Sequence, residues 1–354
     1  MNNSFGELFR VTTFGESHGP AIGAVVDGVP AGLELTEADI QKELDRRKPG
    51  QSAMTTPRRE SDTVEILSGV FEGRTTGTPV ALLIRNQDQR SRDYGDLAEL
   101  FRPGHADYTY FAKYGIRDYR GGGRSSGRET AARVAAGAIA AKYLREEFGI
   151  VVTAWTQAAA GIAGKRVCPE FIEKNLLRAA DPDMAEAMAE AVRRAMDDQD
   201  SVGGVVACRA EHVPAGLGEP VFDKLDALLA HAMLSLGAVK GIEFGDGFAA
   251  AAARGSANND AMTPEGFATN HAGGVLGGIS TGEPIEFRLA VKPTPSIRRE
   301  QMTVDRENRA RKLTIGGRHD PCICPRLVPV VEAMTALVLA DLALRARAAE
   351  RRAR

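Results

Sequence analysis

Cysteine and aromatic residues are scarce in this 354-residue chain: it has 4 Cys, 1 Trp, and only 6% Phe, Trp and Tyr together. Four scattered Cys in a chain this long make no disulfide framework, so a reducing, cytosolic setting is expected. The thiols read as small buried fillers. No uninterrupted apolar run reaches the ~18 residues of a membrane helix, and MNNSFGELFR at the start lacks the apolar stretch of a signal peptide. No membrane partner is therefore expected. A net charge of −2 gives no bulk positive field for nucleic acid, and there are few rings to stack on bases. No HxH or HExxH spacing occurs, and Cys322-Ile323-Cys324 is CxC rather than CxxC. No metal site is expected.

An apolar fraction of 43% suffices for a sizeable core and is too high for a disordered chain. We read a single domain over 1–354, with 346–354 as a frayed basic tail. VTTF (11–14), AIGAVV (21–26), VEILSGVF (64–71) and VALLI (80–84) have strand length and β-branched content. Helices are predicted over 35–47 with Thr36 as N-cap, and over 129–147, 183–199, 218–234 and 331–354. The Ala/Gly face of 129–147 permits close packing and belongs deep in the core. Strands and helices mix without a regular βαβα rhythm, which favours an α+β fold. VPAGL occurs twice, at 29–33 and 213–217. Each copy stands between a β-like run and a helix, so an internal duplication is one reading and chance the other.

Glycine is the residue in excess: 38 of them, well above the usual ~7%. They cluster beside strand-like runs and helix starts. The net charge also hides a division. Residues 40–134 carry 17 basic and 13 acidic residues, and residues 181–226 carry 4 and 11. The polar stretch 86–128 is too rich in Tyr and Phe for plain disorder and reads as a functional loop. Four of the six His (His18, His105, His271 and His319) sit in Gly- or Pro-containing turns, whereas His231 sits in an apolar run. Histidine titrates near neutrality, so turn-borne histidines are the candidates for proton transfer.

GGGRSSGRETAARVAAGA (121–138) is the most specific local feature. Ser126 and Glu129 have capping-box spacing, and Arg124 and Arg128 flank a helix start suited to an anion. Nucleotide patterns fit poorly. Arg128 and Glu129 stand where a Walker-A loop has Lys and Ser/Thr, and Ser126 takes the last glycine position of GxGxxG. The loop suits one phosphate or a flavin phosphate tail. LAVKPTPSIRRE (289–300), RKLTIGGRHDPCICPR (311–326) and LDRRKPG (44–50) are further anion-suited segments, each readable also as a solvated basic turn.

GESHGPAIGAVVDGVPAG (15–32), GGRSSGRETAARVAAGA (122–138) and GRHDPCICPRLVPVVEA (317–333) resemble the signature stretches of the chorismate synthases. RPGHADYTYFAKYG, NHAGGVLGGIS and KPTPS agree, and the resemblance runs from about Phe5 to about Arg345. It implies a β-α-β sandwich of antiparallel sheets around a helical core, assembled as a homotetramer. It implies trans 1,4-elimination of phosphate from 5-enolpyruvylshikimate 3-phosphate, with reduced FMN (FMNH2) required but no net redox change. Carried over by position, His18 would protonate the departing phosphate and His105 would stabilise the anionic flavin. Asp320 would manage a proton at the flavin, relayed through Ser17. FMN contacts map to Arg124, Ser125, Ser126, Gly237, Ala238, Gly277, Lys292, Pro293, Thr294, Pro295, Ser296 and Arg318. Arg47 and Arg128 map to substrate or NADPH binding.

Three positions depart from the family pattern. Ala53 stands where Arg is common, which weakens an NADPH site. Gly237 stands where Asn is frequent, and Pro295 where Ser is common. The chain has no long added segment of the bifunctional kind, so an external flavin reductase or reductant is expected. A flavin oxidoreductase with net hydride transfer and a non-catalytic phosphate-binding module are the competing readings. Stoichiometric consumption of reductant separates the first from an elimination.

Overall fold

A computed structural model describes residues 3–50, 60–87, 97–316 and 319–349. Ala53 and Arg318 lie outside the described residues. The first sheet holds β1 (Ser4–Phe5), β2 (Arg10–Gly15), β3 (Ala21–Asp27), β4 (Val64–Ile66) and, after the small hairpin β5 (Val70–Phe71) and β6 (Arg74–Thr75), β7 (Val80–Arg85). Its order is β1-β2-β3-β7-β4, antiparallel throughout. Val80, Leu82 and Ile84 alternate inward on β7, the period of a sheet buried on one face.

The second sheet holds β8 (Val151–Ala159), β9 (Ile162–Ala163), β10 (Gly204–Glu211), β11 (Val239–Phe244) and β16 (Ile285–Val291), in the order β11-β16-β10-β8-β9. Its strands are also antiparallel. Between β11 and β16 lie the short hairpins β12 (Met262–Thr263) with β13 (Gly266–Phe267), and β14 (Val275–Leu276) with β15 (Ile279–Ser280). β17 (Glu300–Val304) and β18 (Ala310–Thr314) form a ribbon.

The helices are α1 (Glu37–Arg47), α2 (Asp107–Tyr114), α3 (Thr130–Phe148), α4 (Ala185–Asp197), α5 (Leu225–Leu234), α6 (Gly255–Asn258) and α7 (Cys324–Ala349). Thr36 begins α1 as the sequence predicts, with Asp39 Oδ2 accepting from both its N–H and its hydroxyl. α3 lies against β2, β3 and β7. α7 lies against β8 and β10, and the two helices pack on each other. A Cβ on Gly137 of α3 would fall 2.4 Å from Cβ of Ala333 on α7, so glycine there sets how close these helices come. α7 is long and apolar enough to cross a membrane, but 89% of its apolar window is buried within the fold.

Several boundaries depart from expectation. VEILSGVF divides into β4 and β5. The 218–234 helix begins only at Leu225, after Gly218 and Pro220, since proline removes a donor and disfavours helix in the residue before it. α7 begins seven residues early. Pro325 fits a first turn, where no N–H is needed. Pro329 cannot donate to Pro325 O four residues back, and Arg178 Nη1 meets that carbonyl instead, at 2.5 Å. Residues 346–349 of the expected tail continue α7, and Arg347 pairs with Glu147 at 2.7 Å. His231 is exposed and packs edge-on against Phe5, rather than in the core. Cys208, Cys322 and Cys324 are buried, whereas Cys168 is only partly so.

The two VPAGL turns make the same hydrogen bonds. In the first, Thr75 Oγ1 accepts from Leu33 N–H (3.0 Å) and donates to Pro30 O (2.6 Å). In the second, Ser280 Oγ accepts from Leu217 N–H (2.8 Å) and donates to Pro214 O (2.6 Å). Both hydroxyls end a small hairpin, β5–β6 or β14–β15.

Candidate active site

The connection between β7 and α3, the connection between β16 and α7, and the β2–β3 turn meet at one end of the sheets. The β2–β3 turn carries Ser17 and His18. Ser17 is buried, and its Oγ lies 3.1 Å from His18 Nδ1. Gly121 closes over the imidazole: a Cβ there, at φ +155°, would lie 2.4 Å from His18 Nδ1 and Cε1. The polar 86–128 stretch thus places its glycine against His18.

His105 follows the RPG turn, and its Nε2 lies 2.7 Å from Ser296 Oγ. Lys292 Nζ donates to Gly104 O at 2.8 Å, and Lys292 N–H donates to Ala238 O at 2.9 Å. These bonds gather His105, Lys292–Ser296 and Gly237–Ala238 into one wall. Ser201 Oγ donates to Thr294 O at 2.6 Å, and Pro293 packs beside Gly203. Burial lowers the His105 pKa to about 3; Arg102, His319 and Lys292 add repulsion that Asp107 only partly offsets. His105 is therefore a neutral imidazole at pH 7 here. His319 is lowered too, first by burial, despite Nε2 lying 3.0 Å from Gly316 O.

A third group is ionic and dry. Arg47 Nη1 pairs with Asp62 Oδ2 at 2.7 Å, Arg128 pairs with Asp62 Oδ1, and Arg128 Nη2 stands 3.8 Å from Glu60. Burial pulls the Arg47 guanidinium down to about 10, with Asp62 acting upward and Arg326 and Arg128 downward. It remains charged at neutral pH. Burial alone would raise Asp62, but Arg47 and Arg128 outweigh it and hold the carboxylate below its ordinary range. Asp320 is buried and pairs with Arg326 at 2.6 Å.

Some sequence-predicted contacts fall elsewhere. Gly277 lies in the β14–β15 hairpin, whose Gly278 O accepts from Leu225 N–H at the start of α5, whereas Gly237 follows the end of α5. Ten helical residues, about 15 Å, separate those ends, so Gly277 does not join the Lys292 wall within one chain. Arg124 is committed to Gly15 O, Thr13 Oγ1 and Asn3 Oδ1. The capping box does not form. Ser126 Oγ accepts from Arg128 N–H, and Ser125 Oγ donates to Gly122 O. Glu129 turns to Thr13 and Arg133 instead, because α3 begins only after a 3₁₀ turn.

Sequence reading passed over Asp62, Asn86, Arg102 and Asp107. Arg102 makes a two-bond fork to Asp107, at 2.8 Å each, and its Nη2 lies 3.5 Å from Gly121 O, linking the His105 turn to the His18 cover. The spacing of Arg102 and Asp107 across a Pro-Gly turn was the available signal. Asp62 sits in a polar run that gave none.

The chorismate synthase family model matches residues 9–344. A solved structure described as "Crystal Structure of Chorismate Synthase" is similar, with 34% identity and a TM-score of 0.76 over 96% of this chain and 93% of that one. The helices and antiparallel sheets of this chain are the α+β class predicted from sequence. A match of this extent is decisive: the chain belongs to the chorismate synthase family of carbon–oxygen lyases, the shikimate-pathway enzymes that eliminate phosphate from 5-enolpyruvylshikimate 3-phosphate.

Proposed function

We propose that this chain carries out the family's trans 1,4-elimination with reduced FMN, using the site walled by the three segments above. The observation that supports it is the convergence of His18, His105 and Asp320 with buried arginines at one end of the sheets. The residues fit a flavin in part. Thr294 Oγ1 is buried without a hydrogen-bond partner, Gly237 leaves open space where a side chain would stand, and Lys292 supplies a cation. Lys292–Ser296, Gly237 and Ala238 would hold it, and Arg318 is assigned by resemblance alone. When bound, reduced FMN supplies transient electron donation to a reaction with no net redox change.

His18 holds the proton for the departing phosphate. Phosphate has a second pKa of ~6, close to that of an imidazole. Ser17 Oγ engages Nδ1 of the His18 imidazole. His105 is neutral in the absence of an anion, so it acts as a hydrogen-bonding group towards the flavin pyrimidine and gains a proton only when negative charge develops beside it. Asp320, steadied by Arg326, is the carboxylate that would manage the flavin proton. Ser17 pairs with His18 and Asp320 with Arg326, and a relay through Ser17 is part of the same reading. Arg47 and Arg128 present charge to substrate phosphate or carboxylate, held in place by Asp62.

The finer architecture we read as a β-α-β sandwich built from a duplicated unit. Four strands of each sheet share one order (β2-β3-β7-β4 against β8-β10-β16-β11), and the two VPAGL turns share one hydrogen-bond pattern. A homotetramer, implied by the resemblance, and a cytoplasmic location and an external reductant, read from the sequence, are part of the same proposal. The test is anaerobic phosphate release from 5-enolpyruvylshikimate 3-phosphate with reduced FMN, beside an NADPH-only control. Release without stoichiometric oxidation of the flavin is expected. Stoichiometric oxidation would assign a net hydride transfer instead.

A further inference from the structure

Asn86 directly follows β7, and its whole side-chain amide is used at the site. Nδ2 donates to the carbonyls of Glu16 at 2.9 Å and Gly19 at 2.7 Å. Oδ1 accepts from Arg128 Nε at 2.8 Å. The Asn86 N–H also donates to Pro20 O at 3.1 Å. The partners fix the orientation of the amide, because two carbonyls require the NH2 and a guanidinium requires the oxygen.

Glu16 and Gly19 bracket Ser17 and His18. The turn they form is closed by a bond from Gly19 N–H to Glu16 O at 3.2 Å. Arg128, on the other side of the amide, is itself fixed by the buried Asp62. We propose that Asn86 is a positioning residue that ties the Ser17–His18 turn to Arg128, so that imidazole and guanidinium keep one fixed separation. The inference rests on the elimination reading, in which His18 carries the proton and Arg128 faces the anionic substrate. A general acid works only within hydrogen-bond reach of its target. A displacement of about 1 Å can cost on the order of 10²-fold in rate.

Asn86→Asp keeps an oxygen for Arg128 but replaces the NH2 with an oxygen that repels both carbonyls. Asn86→Ala removes both connections. Three measurements separate the roles: anaerobic phosphate release with reduced FMN, thermal melting, and NMR titration of His18 in the cofactor-free protein. Asn86→Asp is expected to lower kcat about 10–100-fold with KM within about 3-fold of wild type. Asn86→Ala is expected to lower kcat similarly and to raise KM as well. The His18 titration should move in both variants. Wild-type kcat in Asn86→Asp overturns the proposal. So does a loss of activity that only tracks the loss of folded protein while His18 titrates as in wild type. Absence of phosphate release from the wild type would defeat the reaction reading instead, and the His18 titration would still decide whether Asn86 sets that turn.

Discussion

Arg47 and Asp62 meet at 2.7 Å inside the protein, with 2% and 0% of their side chains exposed. Arg128 takes the other oxygen of the same carboxylate. One buried anion thus holds two buried cations. Asp62→Ala would leave the Arg47 guanidinium without its carboxylate and Arg128 with Glu60 at 3.8 Å in place of a direct pair. The expected loss is about 3–5 kcal/mol of stability, read as a lowered urea midpoint. A loss under about 1 kcal/mol would show that solvent already compensates these arginines.

Stability should fall on acidification well before the ordinary carboxylate range. The folded pKa values of His105 and His319 are depressed, so their contribution is complete above the unfolded value of about 6.5 and is lost as pH falls towards the folded one, about 3 for His105. Asp62 and Asp107 are depressed as well, so theirs is complete above about 4 and is lost below. His105→Gln should therefore flatten the urea midpoint between pH 7 and pH 4. An unchanged slope would mean that His105 is protonated in the folded state.

His18→Ala should lower turnover by about 10²–10⁴-fold, the usual worth of a positioned general acid. FMN binding, followed by flavin fluorescence, should survive. Near-normal turnover with anaerobic reduced FMN would remove His18 from the chemistry.

Gly121→Ala tests the same imidazole from the other side. The added methyl would need space already occupied by His18, 2.4 Å away. A fall in kcat of at least about 10-fold is expected, since misplacing a reacting group by about 1 Å is that costly. A variant with wild-type kcat would show that the ring can yield without consequence.

Gly104→Ala addresses the wall proposed to hold the flavin. Gly104 has φ +70°, and a Cβ there would fall 2.7 Å from Cβ of Pro295. Both strain and overlap would push the His105 turn off the Lys292–Ser296 segment. The FMN dissociation constant should rise by at least about 10-fold, a difference of about 1.4 kcal/mol. Unchanged affinity by flavin titration would detach this turn from the cofactor.

Strands β2, β3 and β7 of the first sheet, the core helix α3 and the N-cap of α1 were legible because each rests on a local rule: alternation, an Ala/Gly face, a side-chain cap. The position of His18 and His105 in Gly- and Pro-containing turns was legible for the same reason. What local rules could not reach were pairings across the fold. Glu129 answers Thr13 and Arg133 instead of capping its own helix. Arg178 takes up the Pro325 carbonyl that Pro329 strands, which lets α7 start seven residues early. Asp62 and Asn86 matter only through partners that strand pairing brings near, and composition carries no trace of that. Gly277 matched a family motif, yet α5 holds it away from the residues with which the motif grouped it.

The hydrogen bond between His105 and Ser296 spans 191 residues of sequence. Lys292 and Gly104, and the bond from Phe101 N–H to Val304 O, bridge similar spans. The site is therefore among the last things the chain can make. Closing such long loops is slow, and the wall is not assembled until both sheets have docked on α3 and α7. A nascent chain that has completed only its first sheet has His18 but neither His105 nor the Lys292–Ser296 segment. Competence to bind should thus emerge late and together with global packing, so recovery of ligand binding during refolding should lag recovery of secondary structure.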